Sequence, residues 1–219
     1  MSIRIRRRSG GWPMLVPLVV GSATLTGCTA VEQWQQGEVH GPWTVRYDGY
    51  GTVEAEQDAV ILEPKSAADH EITHGGLVHT TAQCTDPTFA VTVATQAQVR
   101  EGEPNPWEVA WVLWDFVDDT HFYAIALKPN GWELTKQDTA YPGDQRFLAT
   151  GDQPTFPIRT EYRVEVHREG PRMQVHVDGR PLVEFVDEDS PYLGGSVALY
   201  TEDARVRFSD VELPDCLRG

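Results

Sequence analysis

Stretches in which apolar and polar residues alternate run through most of the chain. Apolar side chains fall on every second position at Phe89, Val91 and Val93, and a similar run covers residues 123–127. A period of two is that of a half-buried β-strand. Glycine, proline, asparagine and aspartate separate the stretches, and none has the period of an amphipathic helix over a useful length. The pattern predicts strands at residues 43–47, 52–62, 77–81, 88–99, 107–116, 122–128, 132–137, 162–168, 172–177, 182–186, 196–200 and 206–213.

Turn residues predict how several of these strands are joined. Asp178-Gly179 lies between two alternating stretches and predicts a type I′ hairpin, because both central positions of that turn need positive φ. Pro129-Asn130-Gly131 joins two further strands in a similar way. So many antiparallel strands must be covered on both sides or closed into a barrel. Because the strands differ in length, we expect an all-β fold with two antiparallel sheets, a β-sandwich.

The strand at 122–128 predicts a groove on one face of this sandwich. Ala124 and Ala126 share a face with Phe122 and Lys128, whereas the larger apolar residues fall on the other face. Small side chains leave room above a sheet. We therefore expect a groove there for an extended ligand.

The first 28 residues have the organisation of an export signal. Arginines at positions 4 and 6–8 precede an apolar run at 12–25, which is too short for a comfortable membrane span. The run ends in Leu25-Thr26-Gly27-Cys28, which resembles a bacterial lipobox. The resemblance implies cleavage before Cys28 and a lipid on its sulfur. The alternative is an ordinary secretory signal with an incidental cysteine.

This assignment predicts three segments and a location. Residues 1–27 are the predicted signal peptide, 28–41 a lipidated cysteine and short tether, and 42–216 the sandwich domain. The protein is expected to be exported and held by its lipid on the outer face of the bacterial cytoplasmic membrane.

Charge narrows the range of partners. The whole chain has 18 Lys+Arg and 33 Asp+Glu, a net charge of −15. Removing the four arginines of the signal leaves 14 − 33 = −19. A surface this acidic argues against nucleic acid and against direct docking on anionic lipid, because both need clustered Lys and Arg. It favours neutral ligands or cations.

The cysteine count suggests a disulfide. With Cys28 assigned to the lipid, Cys84 and Cys216 remain as an even pair in an oxidising compartment. Two free thiols are the alternative.

Several segments together resemble a known superfamily, the concanavalin A-like lectin/glucanase domains. The resemblance covers residues 42–213, and within it lies close to secreted domains described as calcium-binding and to the 3-keto-disaccharide hydrolase type of jelly roll. It rests on residues 105–111, 118–123, 127–134, 162–166, 177–179, 195–200 and 206–211. Such domains bind or cleave carbohydrate, so the resemblance implies a jelly-roll fold and leaves the activity open.

The resemblance also implies a calcium site. Asp210 in the last strand would bind Ca²⁺ with backbone carbonyls near Gly49, Tyr50 and Gly51, since calcium accepts a mixture of carboxylate and carbonyl oxygens. The alternative is an Asp210 that caps a strand or forms an ion pair. The Glu-x-Asp-x-x-Glu motif of laminarinase-like members is missing from the sequence, which argues against their machinery.

Candidate residues for the groove follow from the same placement. Glu108 and Glu133 are the candidate catalytic carboxylates, as in a glycoside hydrolase, or else ion-pair partners on the surface. His121 is a candidate general base, and Asp115, Asp118 and Asp119 form a candidate acidic cluster. Trp111, Trp114 and Trp132 either stack on sugar rings or belong to the core. The candidate ligand-binding residues are Trp114, Lys128, Tyr141, Gln145 and Arg146.

The sequence thus predicts a membrane-anchored extracytoplasmic lipoprotein whose sandwich binds carbohydrate or a glycan-bearing surface, with calcium as the one candidate cofactor. Two alternatives remain open. One is a glycoside-acting hydrolase that uses Glu108 and Glu133, and the other is a non-catalytic lipoprotein that binds protein.

Overall fold

The computed structural model of the protein describes residues 31–69 and 71–218, and it confirms the predicted all-β sandwich. The signal peptide and Cys28 lie outside the described residues. Within these residues no helix has the length and apolar character that a membrane span needs. The strands are β1 Glu32–Trp34, β2 Val39–His40, β3 Trp43–Tyr47, β4 Thr52–Glu56, β5 Ala59–Glu63, β6 Gly75–Thr80, β7 Thr88–Gln98, β8 Ala110–Asp118, β9 His121–Lys128, β10 Gly131–Asp138, β11 Gln145–Gly151, β12 Glu161–Glu169, β13 Arg172–Val177, β14 Arg180–Val186, β15 Ser196–Glu202 and β16 Ala204–Glu212, followed by a 3₁₀ turn at Asp215–Leu217.

Two antiparallel sheets of eight strands each account for these elements. The first sheet has the order β1-β4-β5-β16-β7-β12-β13-β14, and the second has the order β11-β10-β9-β8-β15-β6-β3-β2. Neighbouring strands in the second sheet are often far apart in sequence, as β8, β15, β6 and β3 are. The sheet order therefore brings together residues that no local pattern connects.

The main core lies between the two sheets. On β7 the predicted core residues Phe89, Val91 and Val93 are buried there, as are Tyr123 and Ile125 on β9. Full burial of an apolar side chain of this size stabilises the fold by about 1.5–3 kcal/mol. The alternation predicted for β7 and β9 is confirmed.

A second apolar cluster covers the outer face of the second sheet. Trp111 and Leu113 of β8 belong to it, whereas the intervening Val112 belongs to the main core. Ala124 and Ala126 of β9 lie on the same outer face and are buried. Small side chains do occur on this face, as predicted, with aromatic residues around them.

Two predicted boundaries were wrong. Residues 52–62 form the hairpin β4–β5 rather than one strand, because the chain reverses at Gln57, where φ is 56°. The sandwich also begins before residue 42: β1 pairs with β4 and β2 pairs with β3, so most of the predicted tether is part of the sheets. Trp34 is buried and anchors β1 to the core. Strand β11 was not predicted.

The predicted hairpin at Asp178-Gly179 is confirmed. Both residues have positive φ, 52° and 71°, and β13 pairs with β14 across them. These are the values that a type I′ turn requires.

The predicted disulfide is also confirmed. Cys84 and Cys216 are bonded across a sequence separation of 132 residues. The bond ties the segment before β7 to the 3₁₀ turn at the C-terminal end of the sandwich.

Two buried ion pairs hold the loop between β14 and β15 against the sandwich. Arg168 Nη2 lies 2.7 Å from Asp115 Oδ2 and donates to the carbonyl oxygen of Tyr192 at 2.7 Å. Lys136 Nζ lies 2.8 Å from Asp187 Oδ2. All four charged side chains are at most 1% exposed. Charges buried this deeply need their partners, because water does not reach them.

Candidate functional site

A hollow of about 240 Å³ lies on the outer face of the second sheet, and we call it the outer-face hollow. Side chains from seven consecutive strands of that sheet, β11 to β3, meet there. Asp119 and Gly143 from two turns also line it. The strand residues that line the hollow are Tyr47, Leu77, Trp111, Leu113, Phe122, Gln137, Gln145, Tyr200 and Glu202.

Aromatic rings form one wall of this hollow and hold one another in place. Tyr200 packs edge to face against Trp111, at 6.2 Å between ring centroids, and against Tyr47, at 6.4 Å. The indole N–H of Trp111 donates to the carbonyl oxygen of Trp107 at 2.8 Å. Edge-to-face packing and this hydrogen bond fix the ring orientations before any ligand arrives.

Carboxylates and amides form the polar part of the lining. Asp119 pairs with Arg46, with 2.9 Å between Oδ2 and Nη2. Gln137 and Gln145 lie opposite each other on β10 and β11, and their side-chain amides make no hydrogen bond to the described residues. The hollow therefore offers free amide donors and acceptors beside its aromatic wall.

Glu202 lies beside the aromatic wall and contacts it through Tyr200. The Tyr200 hydroxyl donates to Oε1 of Glu202 at 2.7 Å. Burial raises the pKa of Glu202, against the opposing effect of that hydrogen bond, and the carboxylates of Asp203 and Glu108 raise it further. Burial also raises the pKa of Tyr200, so its hydroxyl keeps the proton that it donates.

The prediction of a catalytic pair was wrong, and Glu108 shows why. Its side chain has no exposed surface, and Oε1 accepts hydrogen bonds from Arg100 Nε and, at 2.9 Å, from Asn105. Arg100 also binds Asp203, at 2.5 Å. Glu108 thus neutralises a buried arginine and does not reach a ligand.

Glu133, the other candidate acid, is ion-paired to Lys128 on the outer face. Their side chains are 8% and 15% exposed, and neither residue lines the outer-face hollow. The structure therefore does not bring Glu108 and Glu133 to one open groove. Lys128, predicted to bind ligand, serves as the partner of Glu133.

Trp114 was wrongly predicted as a ligand-binding residue. Its side chain has no exposed surface and stacks on Tyr123 in the main core, 6.1 Å between ring centroids. Trp132 is also a core residue, and its indole N–H donates to the Gln153 carbonyl oxygen at 3.0 Å. Of the three tryptophans considered, Trp111 is the one that lines the hollow.

The predicted ligand-binding residues near the β10–β11 turn are divided between two places. Gln145 lines the outer-face hollow. Tyr141 and Arg146 instead contact Asp189 on the loop after β14, each at 3.1 Å, with the guanidinium carbon 4.9 Å from the Tyr141 ring centroid. Successive residues on a strand point to opposite faces, which separates Gln145 from Arg146.

The acidic residues of the β8–β9 region do not form one cluster. Asp115 is the buried partner of Arg168, and Asp119 faces the hollow. Asp118 accepts hydrogen bonds from Thr120 and from His121, at 2.6 and 2.9 Å, which lower the pKa of Asp118 to about 2. The function of His121 as a base stays a prediction.

The ligand set predicted for calcium is not assembled. Asp210 lines a hollow of about 720 Å³ together with residues of β1 and the β4–β5 turn, whereas Gly49 and Tyr50 line a different one. In residues 31–69 and 71–218, no three His, Cys, Asp or Glu side chains are grouped as a metal ion requires. Calcium binding stays a prediction, but the predicted ligands Asp210, Gly49 and Tyr50 do not lie around one site.

Sequence reasoning missed Tyr47, Tyr200 and Glu202. The alternation of β15 places Tyr200 and Glu202 on one face, and that signal was available. The alternation does not say which face of β15 lies outside. It also does not show that β15 lies between β8 and β6, which is known only from the sheet order.

Comparison with known proteins shows the fold. No protein-family model and no curated protein sequence matches the chain. Among solved structures it is similar to the carbohydrate-binding module CBM66 from Bacillus subtilis, with a TM-score of 0.58 and 16% identity over 78% of this chain and 93% of that chain. It is also similar to SCLam, a non-specific endo-β-1,3(4)-glucanase of family GH16, with a TM-score of 0.50 and 12% identity over 84% of this chain and 90% of that one.

A lectin-like structure gives a similar result. The exoplasmic/lumenal domain of VIP36 in its Ca²⁺/Man3GlcNAc-bound form has a TM-score of 0.50 and 12% identity, over 79% of this chain and 83% of that chain. At these identities the likeness shows architecture alone. The protein is a jelly-roll sandwich, an architecture found in carbohydrate-binding modules, lectins and glycosyl hydrolases.

Proposed function

We propose that the protein binds carbohydrate in the outer-face hollow. The observation that carries the proposal is the combination of a fixed aromatic wall with the free amides of Gln137 and Gln145 on one side of one sheet. A sugar ring presents C–H groups on its faces and hydroxyl groups around its edge. The faces suit aromatic rings, and the hydroxyls suit the amides of Gln137 and Gln145.

The charge of the lining supports an uncharged sugar. Asp119 and Glu202 are its acidic side chains, and no Lys or Arg is among the residues described as lining it. Arg46 is paired with Asp119, so the described lining holds no unpaired cation for the carboxylate or sulfate group of an acidic sugar. The solved structures named above include a glucanase and a domain bound to Man3GlcNAc, which supports carbohydrate as the class of ligand.

If the outer-face hollow binds a neutral glycan, Gln145→Ala is expected to weaken that binding. Loss of one side-chain hydrogen bond is expected to weaken binding by about 0.5–1.5 kcal/mol, or roughly 2- to 10-fold. The protein is first screened on an array of neutral glycans that includes β-1,3(4)-glucan and mannose oligosaccharides. The dissociation constant for a retained glycan is then measured by titration calorimetry.

Arg146→Ala is the matched control, since Arg146 is next in the chain and points to the other face of the sheet. Its affinity is expected to equal that of the unmodified protein. The proposal fails if the array retains no glycan, or if Gln145→Ala binds as tightly as Arg146→Ala.

We further propose that the protein is exported and anchored by a lipid on Cys28. The lipobox-like Leu25-Thr26-Gly27-Cys28 supports the lipid. The bond between Cys84 and Cys216 supports an oxidising compartment outside the cytoplasm.

Cys28→Ser tests the anchor. Without the sulfur the lipid has no attachment point, so the protein is expected to lose incorporation of labelled palmitate and to leave the membrane fraction. Cys84→Ser, which also removes one cysteine, is expected to keep both the label and the membrane location. Palmitate labelling of the Cys28→Ser variant would contradict the anchor.

A further inference from the structure

A second hollow adjoins the outer-face hollow. It has a volume of about 610 Å³ and shares Tyr47 and Tyr200 with the first, so these two side chains lie on the border between the hollows. We call it the turn hollow, because the β3–β4 turn forms one side of it. Its lining residues are Gln36, Tyr47, Asp48, Gly49, Tyr50, Thr73, His74, Gly75 and Tyr200.

Together the two hollows have room for a ligand larger than one sugar. Sites for small molecules usually measure roughly 300–1,000 Å³. The outer-face hollow, at about 240 Å³, falls below that range, whereas the turn hollow falls within it. A ligand that fills both would run across the sheet and over the tyrosine pair.

Tyr50 is presented to this second hollow in an unusual way. It is 82% exposed, and its φ of 60° lies in the left-handed region that residues other than glycine, asparagine and aspartate rarely adopt. Its backbone N–H donates to Oδ1 of Asp48 at 2.9 Å. This hydrogen bond holds the turn in a conformation that nine other non-glycine residues of the described chain also adopt, and the turn points the Tyr50 side chain outward.

The turn that carries Tyr50 is packed closely against β6. A Cβ at Gly49 would lie 2.6 Å from the carbonyl oxygen of Gly75, so only glycine fits there. The Tyr50 ring stands 5.5 Å from the His74 ring, nearly edge to face at 71°. The turn is therefore held at the rim, and the tyrosine ring has His74 as an aromatic neighbour while most of it faces solvent.

His74 adds a directional polar group. Its Nδ1 lies 2.6 Å from the Lys65 carbonyl oxygen, which can only accept, so Nδ1 carries the proton of the neutral ring. Nε2 is then an acceptor for a ligand hydroxyl. The described lining of the turn hollow has one carboxylate, that of Asp48, and no Lys or Arg, so like the first hollow it disfavours acidic sugars.

We infer that the two hollows form one extended site for a linear neutral oligosaccharide, in which Tyr50 is the stacking platform of a second sugar position. This inference rests on carbohydrate binding in the outer-face hollow. It adds the length of the ligand and the residue that recognises its far end.

The test is Tyr50→Gly, compared with Tyr50→Phe and with the unmodified protein, on an array of neutral glycans of one to six sugar units. Glycine adopts the left-handed conformation freely, so the turn keeps its shape while the ring is lost. Tyr50→Gly is expected to bind the long glycans about tenfold more weakly and to bind the shortest retained glycan unchanged. Tyr50→Phe is expected to restore the affinity for long glycans.

Val186→Ala, at an exposed apolar position on β14, controls for general surface effects, and melting temperatures show whether each variant is folded. Equal binding of every glycan length by Tyr50→Gly and the unmodified protein would overturn the second position and leave the outer-face hollow intact. Retention of no glycan by the unmodified protein would overturn both proposals.

Discussion

Asp115→Asn is expected to destabilise the folded protein by about 3–5 kcal/mol, because it leaves Arg168 as a buried charge without a carboxylate. Both Nε and Nη2 of Arg168 bond to Asp115 Oδ2, at 2.9 and 2.7 Å, and neither side chain has exposed surface. Asn has nearly the same shape and tolerates the positive φ of 48° at this position, so backbone strain contributes little. Urea unfolding of the soluble domain measures the change.

Two further variants separate the ion pair from other effects. Replacing both partners, as Asp115→Asn with Arg168→Met, is expected to recover part of the lost stability, since no unpaired charge remains. Glu184→Gln breaks the exposed pair of Glu184 with Arg172 and is expected to cost less than about 1 kcal/mol. If Asp115→Asn also lowers the free energy of unfolding by less than about 1 kcal/mol, the buried pair contributes little to stability.

Removal of the disulfide is expected to have an effect of similar size. A bond that closes a loop of 132 residues restricts the unfolded chain and stabilises the folded state by about 5 kcal/mol in the chain-entropy model. The double variant Cys84→Ala with Cys216→Ala is therefore expected to unfold at a much lower urea concentration than the oxidised protein.

A reductant supplies the control for this prediction. Dithiothreitol is expected to lower the unfolding midpoint of the unmodified protein to nearly that of the double variant, and to leave the double variant unchanged. Equal midpoints for the oxidised protein and the double variant would contradict the prediction.

Most strands and one hairpin of the fold could be predicted from local sequence patterns. Alternation at Phe89, Val91 and Val93 depends only on the period of a strand, and the Asp178-Gly179 turn depends only on φ preferences. The reversal at Gln57 was missed, because Gln-Asp is a weak turn signal compared with Asn-Gly or Asp-Gly. Strand β11 lies at a sheet edge and none of its residues is fully buried, so its sequence shows no clear alternation.

The site was harder to predict because its polar partners come from distant segments. In the sequence, nothing distinguishes Glu108 from an exposed surface acid; its burial follows from the ion pair with Arg100, which only the structure shows. Trp111 and Trp114 lie three positions apart on one strand and so face opposite ways, but alternation alone does not say which face is the core. Tyr200 reaches Tyr47 only through the order of β15, β6 and β3 in the sheet.

If Cys28 carries the proposed lipid, the position of β1 limits the distance between the sandwich and the membrane. Glu32 already belongs to the first sheet, and Cys28 precedes it by four residues. Four extended residues span at most about 14 Å. A lipid on Cys28 would therefore keep the sandwich beside the bilayer surface, so that it samples only glycans within roughly one domain diameter of the membrane and cannot search the outer layers of an envelope.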